Sequence, residues 1–535
     1  MQRAGDAIAR IARARFPHAR RVSVLCGPGN NGGDGLVAAA SLMRHGLQVA
    51  VWMVACCDPA DWQRVTRPAD WLWAMQLACD AGLQAQLWPH GPATPTCQGA
   101  DLIIDALLGL GLNRAPAGEI GAAISALEHH PAPILAVDLP SGLASDTGAA
   151  PGGLVRATVT LTLLGLKPGL LTGPDAQACG ELWLDDLNAL PASVQPPTKR
   201  LTKPIPNPTP GRTQVCLLLA SDLAGPGSGA TAAHDRDPEP TARLLGLVEA
   251  ITALPKTLAA AHKGERGDVY VFGGAAGMTG AALLSSRAAL ALGAGRVFTA
   301  LLDPQAPSFD AMRPELMLRQ PQALLGQIRG TAGLQGKACV VFGPGAGLGS
   351  EAMALLLALL ALDIPLVIDA DGLNLLATQT PDGKLWQALR QRRTPTWLTP
   401  HPREAAGLLQ WTTAAVQGDR LTAARTLSAL SHAHCILKGA GTVMTAPDGS
   451  TWINASGNGL LATAGSGDVL AGALAACIAP CGNDTAVIAA ARAAVWLHGA
   501  GADLAREEGN SLRAGTLPGA MTRARNMASH MARDC

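Results

Sequence analysis

Val22-Ser23-Val24-Leu25-Cys26 runs directly into Gly27-Pro28-Gly29-Asn30-Asn31-Gly32-Gly33-Asp34-Gly35, and that into the apolar stretch Leu36 to Arg44. A short apolar run, a glycine-rich turn and a helical stretch make the opening of a nucleotide-type βαβ unit. Such a unit buries its strand only inside a parallel sheet flanked by helices, so it commits the chain to an α/β fold. The turn is not the usual dinucleotide fingerprint, because Asn-Asn and Asp occupy it. Their oxygens suit a cation or ribose hydroxyls. A plain tight turn is the simpler account, since Asn-Gly and Asp-Gly are common turn pairs. Six consecutive polar or glycine residues exceed what a turn needs.

At 535 residues the chain is too long for one core, and two or three domains are expected. Its 61 Gly, 38 Pro and 15% charged residues fit alanine- and leucine-rich α/β domains joined by tight turns. A net charge of +1 gives no support for nucleic acid or an anionic membrane as partner. The 12 cysteines form no pair of Cys-x-x-Cys units, which argues against zinc and for reduced thiols in a cytoplasmic protein. The longest apolar run, Ala352 to Leu362, is too short to span a bilayer. The Arg-rich start faintly suggests a transit peptide, but Ile8, Ile11 and the surrounding alanines fit one face of an amphipathic helix.

Further strands in the first half are Leu47 to Val54, Leu102 to Asp105 and Ile134 to Asp138, and two of them end in an aspartate. A lone strand-end aspartate usually caps a helix or closes a turn. In an open parallel sheet, however, ligands sit beyond the carboxyl ends of the strands, where Asn31, Asp105, Asp138 and Ser141 would converge.

The joint follows. Pro204, Pro206, Pro208 and Pro210 alternate in an extended stretch, Val215 to Ala220 fits a stray strand, and Gly225 to Pro240 reads as a linker. Leu244 to Leu258 reads as a helix. The expected division is a first domain at 1–200, a linker at 201–261 and a second domain at 262–535.

In the second half, strands at Asp268 to Phe272, Arg296 to Leu301, Ala338 to Phe342, Leu366 to Asp369, Thr396 to Leu398 and Cys435 to Lys438 alternate with helical runs such as Thr279 to Leu292. This is again a doubly wound domain with polar strand ends. Ala462-Thr463-Ala464-Gly465-Ser466-Gly467-Asp468 then leads into an apolar helix. The open N–H groups at such a helix start bind anions. Asp468 has two possible roles there, as a helix cap or as a base on a hydroxyl whose charge those N–H groups stabilise. Lys438, flanked by glycines, suits nucleotide phosphates better than a surface turn. His401, between two prolines and followed by Glu404, reads as a fixed residue facing a ligand, though capping is the commoner role for such a histidine.

Asn-Asn-Gly-Gly-Asp-Gly, Ile-Asp-Ala-Leu-Leu-Gly, Ala-Val-Asp-Leu-Pro-Ser-Gly and Leu-Lys-Pro-Gly-Leu-Leu, with Lys167 in the last, resemble the Rossmann-like YjeF N-terminal domain, which includes the NAD(P)H-hydrate epimerases. The resemblance implies that Asn30, Asn31, Gly32, Gly33 and Asp34, the segment Gly109, Leu110, Gly111, Leu112, Asn113, Arg114 and Ala115, and Asp138 hold the hydrated dinucleotide. It implies potassium (K+) at Asn31, Asp105 and Ser141, and proton handling at Asp138. Relatives usually carry a further helical stretch before this start, which implies a misplaced start codon or a clipped domain.

His-Lys-Gly, Arg313-Pro314-Glu315-Leu316-Met317, Ile-Asp-Ala-Asp-Gly-Leu-Asn, Leu-Thr-Pro-His-Pro-Arg-Glu and Ala-Gly-Ser-Gly-Asp-Val-Leu-Ala-Gly resemble the ribokinase-like NAD(P)H-hydrate dehydratases. That resemblance implies the S hydrate near Ala281, Gly345, His401 and Asp468. It places ADP or ATP at Lys438, Gly439, Ala440, Gly441, Thr442 and Gly467, with Asp468 as base and magnesium (Mg2+) bridging the phosphates. Gly457-Asn458-Gly459-Leu460-Leu461-Ala462 lacks the family's proline, which implies a looser segment and an altered nucleotide preference. The two halves together imply repair of NADHX and NADPHX by a cytoplasmic homo-oligomer. The rival reading is a ribokinase-like small-molecule kinase with an inert binding module in front of it.

Overall fold

The computed structural model describes residues 1–56, 67–88, 97–112, 114–187, 242–245, 250, 253–254, 262–330 and 337–534. The chain forms two compact units, Met1–Thr231 and Ala232–Cys535. The expected strand at Val215 to Ala220, the linker at Gly225 to Pro240 and Asn113 lie outside the described residues.

The first unit is one parallel sheet. Its strands are β1 (Arg21–Cys26), β2 (Gln48–Met53), β3 (Ala85–Leu87), β4 (Leu102–Ala106), β5 (Ile134–Val137), β6 (Val159–Leu163) and β7 (Glu181–Asp185). They lie in the order β3-β2-β1-β4-β5-β6-β7. β4, β5 and β6 are buried along their whole length, which explains their unbroken apolar runs. The N-terminal residues do form the expected amphipathic helix, Gln2–Arg15. It buries Ala4, Ala7, Ile8, Ile11 and Ala12 against the core. Ile8 is fully shielded, which contributes about 1.5–3 kcal/mol.

The second unit is a ten-stranded sheet of β8 (Arg243–Leu245), β9 (Asp268–Gly273), β10 (Arg296–Leu301), β11 (Met317–Arg319), β12 (Ala338–Phe342), β13 (Leu366–Ile368), β14 (Thr396–Leu398), β15 (His434–Leu437), β16 (Thr442–Thr445) and β17 (Thr451–Asn454). The order is β11-β10-β9-β12-β13-β14-β15-β16-β17-β8, with β16 antiparallel to both neighbours. Leu244 and Leu245 therefore begin no helix. They lie in β8, inside the stretch expected as linker, and pair with β17. The edge of that sheet offers their backbone more hydrogen-bond partners than an isolated helical turn would. At the centre of this unit the Ser466–Ile478 helix is buried from Val469 to Ile478. A helix apolar on all sides is stable only inside a core. Among the described residues no helix is long and apolar enough to cross a membrane.

Candidate active sites

In the first sheet, β1 and β4 are neighbours, and the chain departs from them to opposite sides. A crevice opens at such a switch point beyond the carboxyl ends of the strands. Here it is a cavity of about 830 Å³, lined among others by Asn30, Asn31, Asp34, Asp70, Leu107 to Leu110, Asp138 and Leu163 to Lys167. Gly111, Leu112, Arg114 and Ala115 are not part of that lining.

Asn30 to Asp34 is not a loop. The helix starts at Asn30, after an extended Gly29, and runs to Arg44. A side chain at Gly32 would put its Cβ 1.9 Å from the Gly27 carbonyl oxygen. The glycines thus let the helix start pack onto the strand end, and the amides of its first turn open toward the cavity. Asp34 sits in this helix. Burial raises its pKa to about 7, opposed by the N-terminal amine and assisted by Asp138 and Asp70.

Asn31, Asp105 and Ser141 meet around the backbone of Leu108. Asn31 Nδ2 donates to the Leu108 carbonyl at 2.9 Å, and the Leu108 amide donates to Ser141 Oγ at 2.9 Å. Asp105 is wholly buried and accepts from Ser141 Oγ at 2.6 Å, from the Ser141 amide at 2.8 Å and from the Leu107 amide at 3.2 Å. Burial still raises its pKa to about 6, and among the described residues no cationic side chain offsets it. A buried carboxylate without a cation, ringed by hard oxygens, fits a hard metal ion.

Asp138 follows β5 with φ +66°, a left-handed conformation uncommon for a residue other than glycine. Its Oδ1 accepts from Lys167 Nζ, from Thr162 Oγ1 at 3.3 Å and from the Leu163 amide at 3.1 Å. Lys167 Nζ also donates to Thr162 Oγ1 at 3.0 Å and to the Leu163 carbonyl at 2.7 Å, which occupies its three protons. Burial lowers the lysine pKa against the opposing charge of Asp138. Lys167 is thus a fixed counter-ion. All three donors take Oδ1, which leaves Oδ2 as the oxygen open to an incoming group.

In the second sheet, β9 and β12 flank the equivalent switch point. Asp369 follows β13, is 1% exposed, and accepts from Thr399 Oγ1 and Lys438 Nζ, both at 2.8 Å on Oδ1. Glu404 Oε2 lies 4.0 Å from the same ammonium. Burial works against the charge on Lys438, yet Asp369 and Glu404 hold its pKa above the usual lysine range. Asp468 lies in the first turn of its helix, after a left-handed Gly465. Burial, then Asp369, push it up to about 7, with Lys438 opposing. Gly467 touches this group closely, since a Cβ there would lie 3.0 Å from Lys438 Nζ. Lys438 therefore points at the helix start rather than at solvent.

His401 caps the Pro402–Leu409 helix. Its Nδ1 accepts from the amides of Arg403 and Glu404 at 3.1 and 3.2 Å, and Glu404 Oε2 accepts from the His401 amide at 2.8 Å. The capping role is what the structure shows, and it locks Glu404 beside Lys438. Ala281 and Gly345 are adjacent, with 3.2 Å between the Ala281 Cβ and a Cβ built on Gly345. Arg420, buried, donates to the carbonyls of Leu437 and Ala440 and braces the Gly439–Gly441 turn. Thr442 Oγ1 closes that turn onto the Gly439 carbonyl at 3.1 Å.

The segment Gly457 to Ala462 is not loose. Asp503 accepts from the Gly457 amide at 2.8 Å and from Asn458 Nδ2 at 2.9 Å. Leu460 and Leu461 pack on the core, so these contacts supply the rigidity expected of the missing proline. Among the described residues, no group of three or more His, Cys, Asp or Glu is arranged to hold a metal ion.

Sequence reasoning passed over Lys167, Asp369 and Glu404 as site residues, although each stood inside a motif already singled out. His498 and Arg420 had no sequence signal, because only the fold brings them to the site.

Two family models match the chain. Residues 269–522 match NAD(P)H-hydrate dehydratase, and residues 1–169 match the YjeF-related protein N-terminus. The chain is 34% identical over 504 residues to the bifunctional NAD(P)H-hydrate repair enzyme Nnr of Escherichia coli, covering 94% of this chain and 84% of that one. It is 33% identical over 513 residues to the Nnr enzyme of Coxiella burnetii, covering 95% and 90%. Among solved structures, the ADP/ATP-dependent NAD(P)H-hydrate dehydratase of Bacillus subtilis with ATP/Mg2+ aligns at 27% identity and a TM-score of 0.45, over 54% of this chain and 99% of that one.

Proposed function

The chain belongs to the family of bifunctional NAD(P)H-hydrate repair enzymes, and from that premise we propose how its parts divide the work. The enzyme interconverts the R and S hydrates and dehydrates the S form to NAD(P)H. We assign epimerisation to the first unit and nucleotide-dependent dehydration to the second, whose sheet includes β8 at Arg243–Leu245.

In the second domain, Asp468 takes the proton from the hydrate hydroxyl as that oxygen attacks the terminal phosphorus of ADP, with ATP as the alternative donor. The amides of Gly467 and Asp468 receive the transferred phosphoryl oxygens, and Lys438 faces the same charge. Hydroxide leaves poorly and phosphate leaves well, so elimination of phosphate and a neighbouring ring proton restores the dihydronicotinamide. AMP, or ADP from ATP, is the other product. Mg2+, when bound, would neutralise phosphate charge, and Asp369 and Glu404, the carboxylates beside Lys438, would face it. The observation that carries this reading is Asp468 itself: a carboxylate raised to about 7, in a helix turn with open amides, beside a half-buried lysine.

In the first domain, Asp138 Oδ2 handles the proton while Lys167 holds Oδ1. The first-turn amides of the Asn30–Arg44 helix favour the pyrophosphate. K+ would sit among Asn31, Asp105 and Ser141 and would offset the buried carboxylate. Its ordinary chemistry there is to fix the Leu107–Leu110 wall of the cavity.

The test is absorbance recovery at the reduced-nicotinamide band from mixed R and S NADH hydrates with Mg2+ and ADP. Full recovery is expected from wild type, none from Asp468→Ala, and recovery of the S fraction alone from Asp105→Ala. A stable phosphorylated product without recovery would replace this reading with the kinase.

A further inference from the structure

His498 lies on the Asp484–Glu507 helix, far in sequence from the catalytic turn and partly buried beside it. Its Nε2 meets the Ser466 carbonyl at 2.9 Å. The acceptor is a carbonyl, so the imidazole donates. Burial, assisted by the charge of Lys438, lowers its pKa to about 4 and keeps the ring neutral. The ring is partly buried, and its hydrogen bond goes to the backbone of the catalytic turn.

The peptide plane carries that contact further. The Ser466 carbonyl and the Gly467 N–H belong to one rigid planar unit. A hydrogen bond that fixes the carbonyl also fixes the direction of that N–H. Gly467 lies in the first turn of the Ser466–Ile478 helix, where amides have no intrahelical acceptor. Ser466 is tied from two further sides, by its amide to the Thr463 carbonyl at 3.3 Å and by its hydroxyl to the Leu461 carbonyl at 2.8 Å. The helix that carries His498 also grips the approach to the turn. Asn454 Nδ2 donates to the Val495 carbonyl at 3.4 Å, Ser456 Oγ to the Trp496 carbonyl at 2.9 Å, and Asp503 takes Gly457 and Asn458. One helix face thus frames the whole stretch from Asn454 to Ser466.

We propose that His498 is a positioning residue for phosphoryl transfer: it aims the Gly467 amide at the moving phosphoryl group through the Ser466 carbonyl. This rests on the dehydratase reading of the second domain. Its contribution should appear in the transition state and not in ground-state binding.

The experiment uses the full chain with the S hydrate, ADP and Mg2+, and compares wild type, His498→Leu and His498→Gln. His498→Leu removes the donor, and His498→Gln keeps an N–H of similar reach. The expected result is a fall in kcat of about 10–100-fold for His498→Leu, with KM for hydrate and for ADP unchanged within about threefold, and recovery of most of kcat in His498→Gln. A His498→Leu variant with wild-type kcat overturns the proposal. So does a His498→Gln variant that folds but is as slow as His498→Leu, or a loss confined to KM. If His498→Leu does not fold, the glutamine variant decides alone, since a fold retained with kcat lost leaves no positioning role for the donor. Wild type without dehydratase activity would sink the functional reading itself, which is a separate outcome.

Discussion

Lys167 with Asp138 and Lys438 with Asp369 are the same device in two places: a strand-end aspartate, a half-buried ammonium, and a threonine hydroxyl donating to the same carboxylate oxygen. The surroundings differ. Asp138 shares its cavity with Asp34 across the way. Asp369 is sealed at 1% exposure and shares its lysine with Glu404, while Asp468 stands behind in the field of both carboxylates. On the proposed reading the paired aspartate is the reacting group in the first domain, whereas in the second it is part of the frame and Asp468 is the base.

The largest expected effect separates the two roles. Asp468→Asn should lower dehydration of the S hydrate by about 10³-fold or more, and Asp138→Asn should lower epimerisation by about 10²–10³-fold. Asparagine is chosen at 138 because it tolerates the left-handed backbone. Asp369→Asn keeps an acceptor for Thr399 and should lower dehydration by only about tenfold. Separate assays of R-to-S conversion by chromatography and of S-hydrate recovery by absorbance read each domain. Equal losses from Asp369→Asn and Asp468→Asn would break the comparison.

The lysines come next. Lys438→Met leaves Asp369 buried without its cation, and breaking such a pair costs about 3–5 kcal/mol. Lys167→Met exposes a pair that reaches the cavity, and about half that loss is expected. Calorimetry of the two transitions should show the second unit shifting further. These lysines also show what the sequence could tell. The alternation of strands and helices was legible because parallel strands buried on both faces are unbroken apolar runs. The glycine-rich stretch at Asn30 was misread as a loop because Gly32 matters only once the strand end lies against it. Asp138 and Asp468 were legible from their motifs. Their partners were not, since Lys167, Asp369 and His498 join them only after the sheet has formed.

A smaller effect concerns pH. Asp468 has its folded pKa raised to about 7, well above that of an exposed carboxylate. Between about pH 4 and 7 the native state therefore holds a proton that the unfolded chain has lost, and stability falls as pH rises through that window. Asp468→Asn removes this penalty. At pH 8 the second unit of the variant should melt about 2–4 °C higher, corresponding to about 1 kcal/mol, with no gain at pH 4. Wild-type kcat for dehydration should fall as pH drops below the same pKa. Asp101 provides the contrast, because amides and Arg21 lower its pKa to about 2 and it gives no such slope. A gain in melting temperature at both pH values would assign the effect to packing.

The smallest effect lies in the backbone. Both sites follow a strand with a left-handed residue, Asp138 at φ +66° and Ala370 at φ +46°. At 138 the strained residue is the one proposed to react, so a glycine there would remove the carboxylate along with the strain. At 370 the strained residue carries only a methyl group and sits between Asp369 and the helix from Asp371. Ala370→Gly removes a steric penalty of about 1–2 kcal/mol and returns part of it as glycine's extra freedom in the unfolded chain. A net gain of about 0.5 kcal/mol, or one to two degrees in melting temperature, is expected with kcat unchanged. If kcat falls instead, the strain at Ala370 is part of how Asp369 is aimed, and the two strand ends are closer in function than their carboxylates imply.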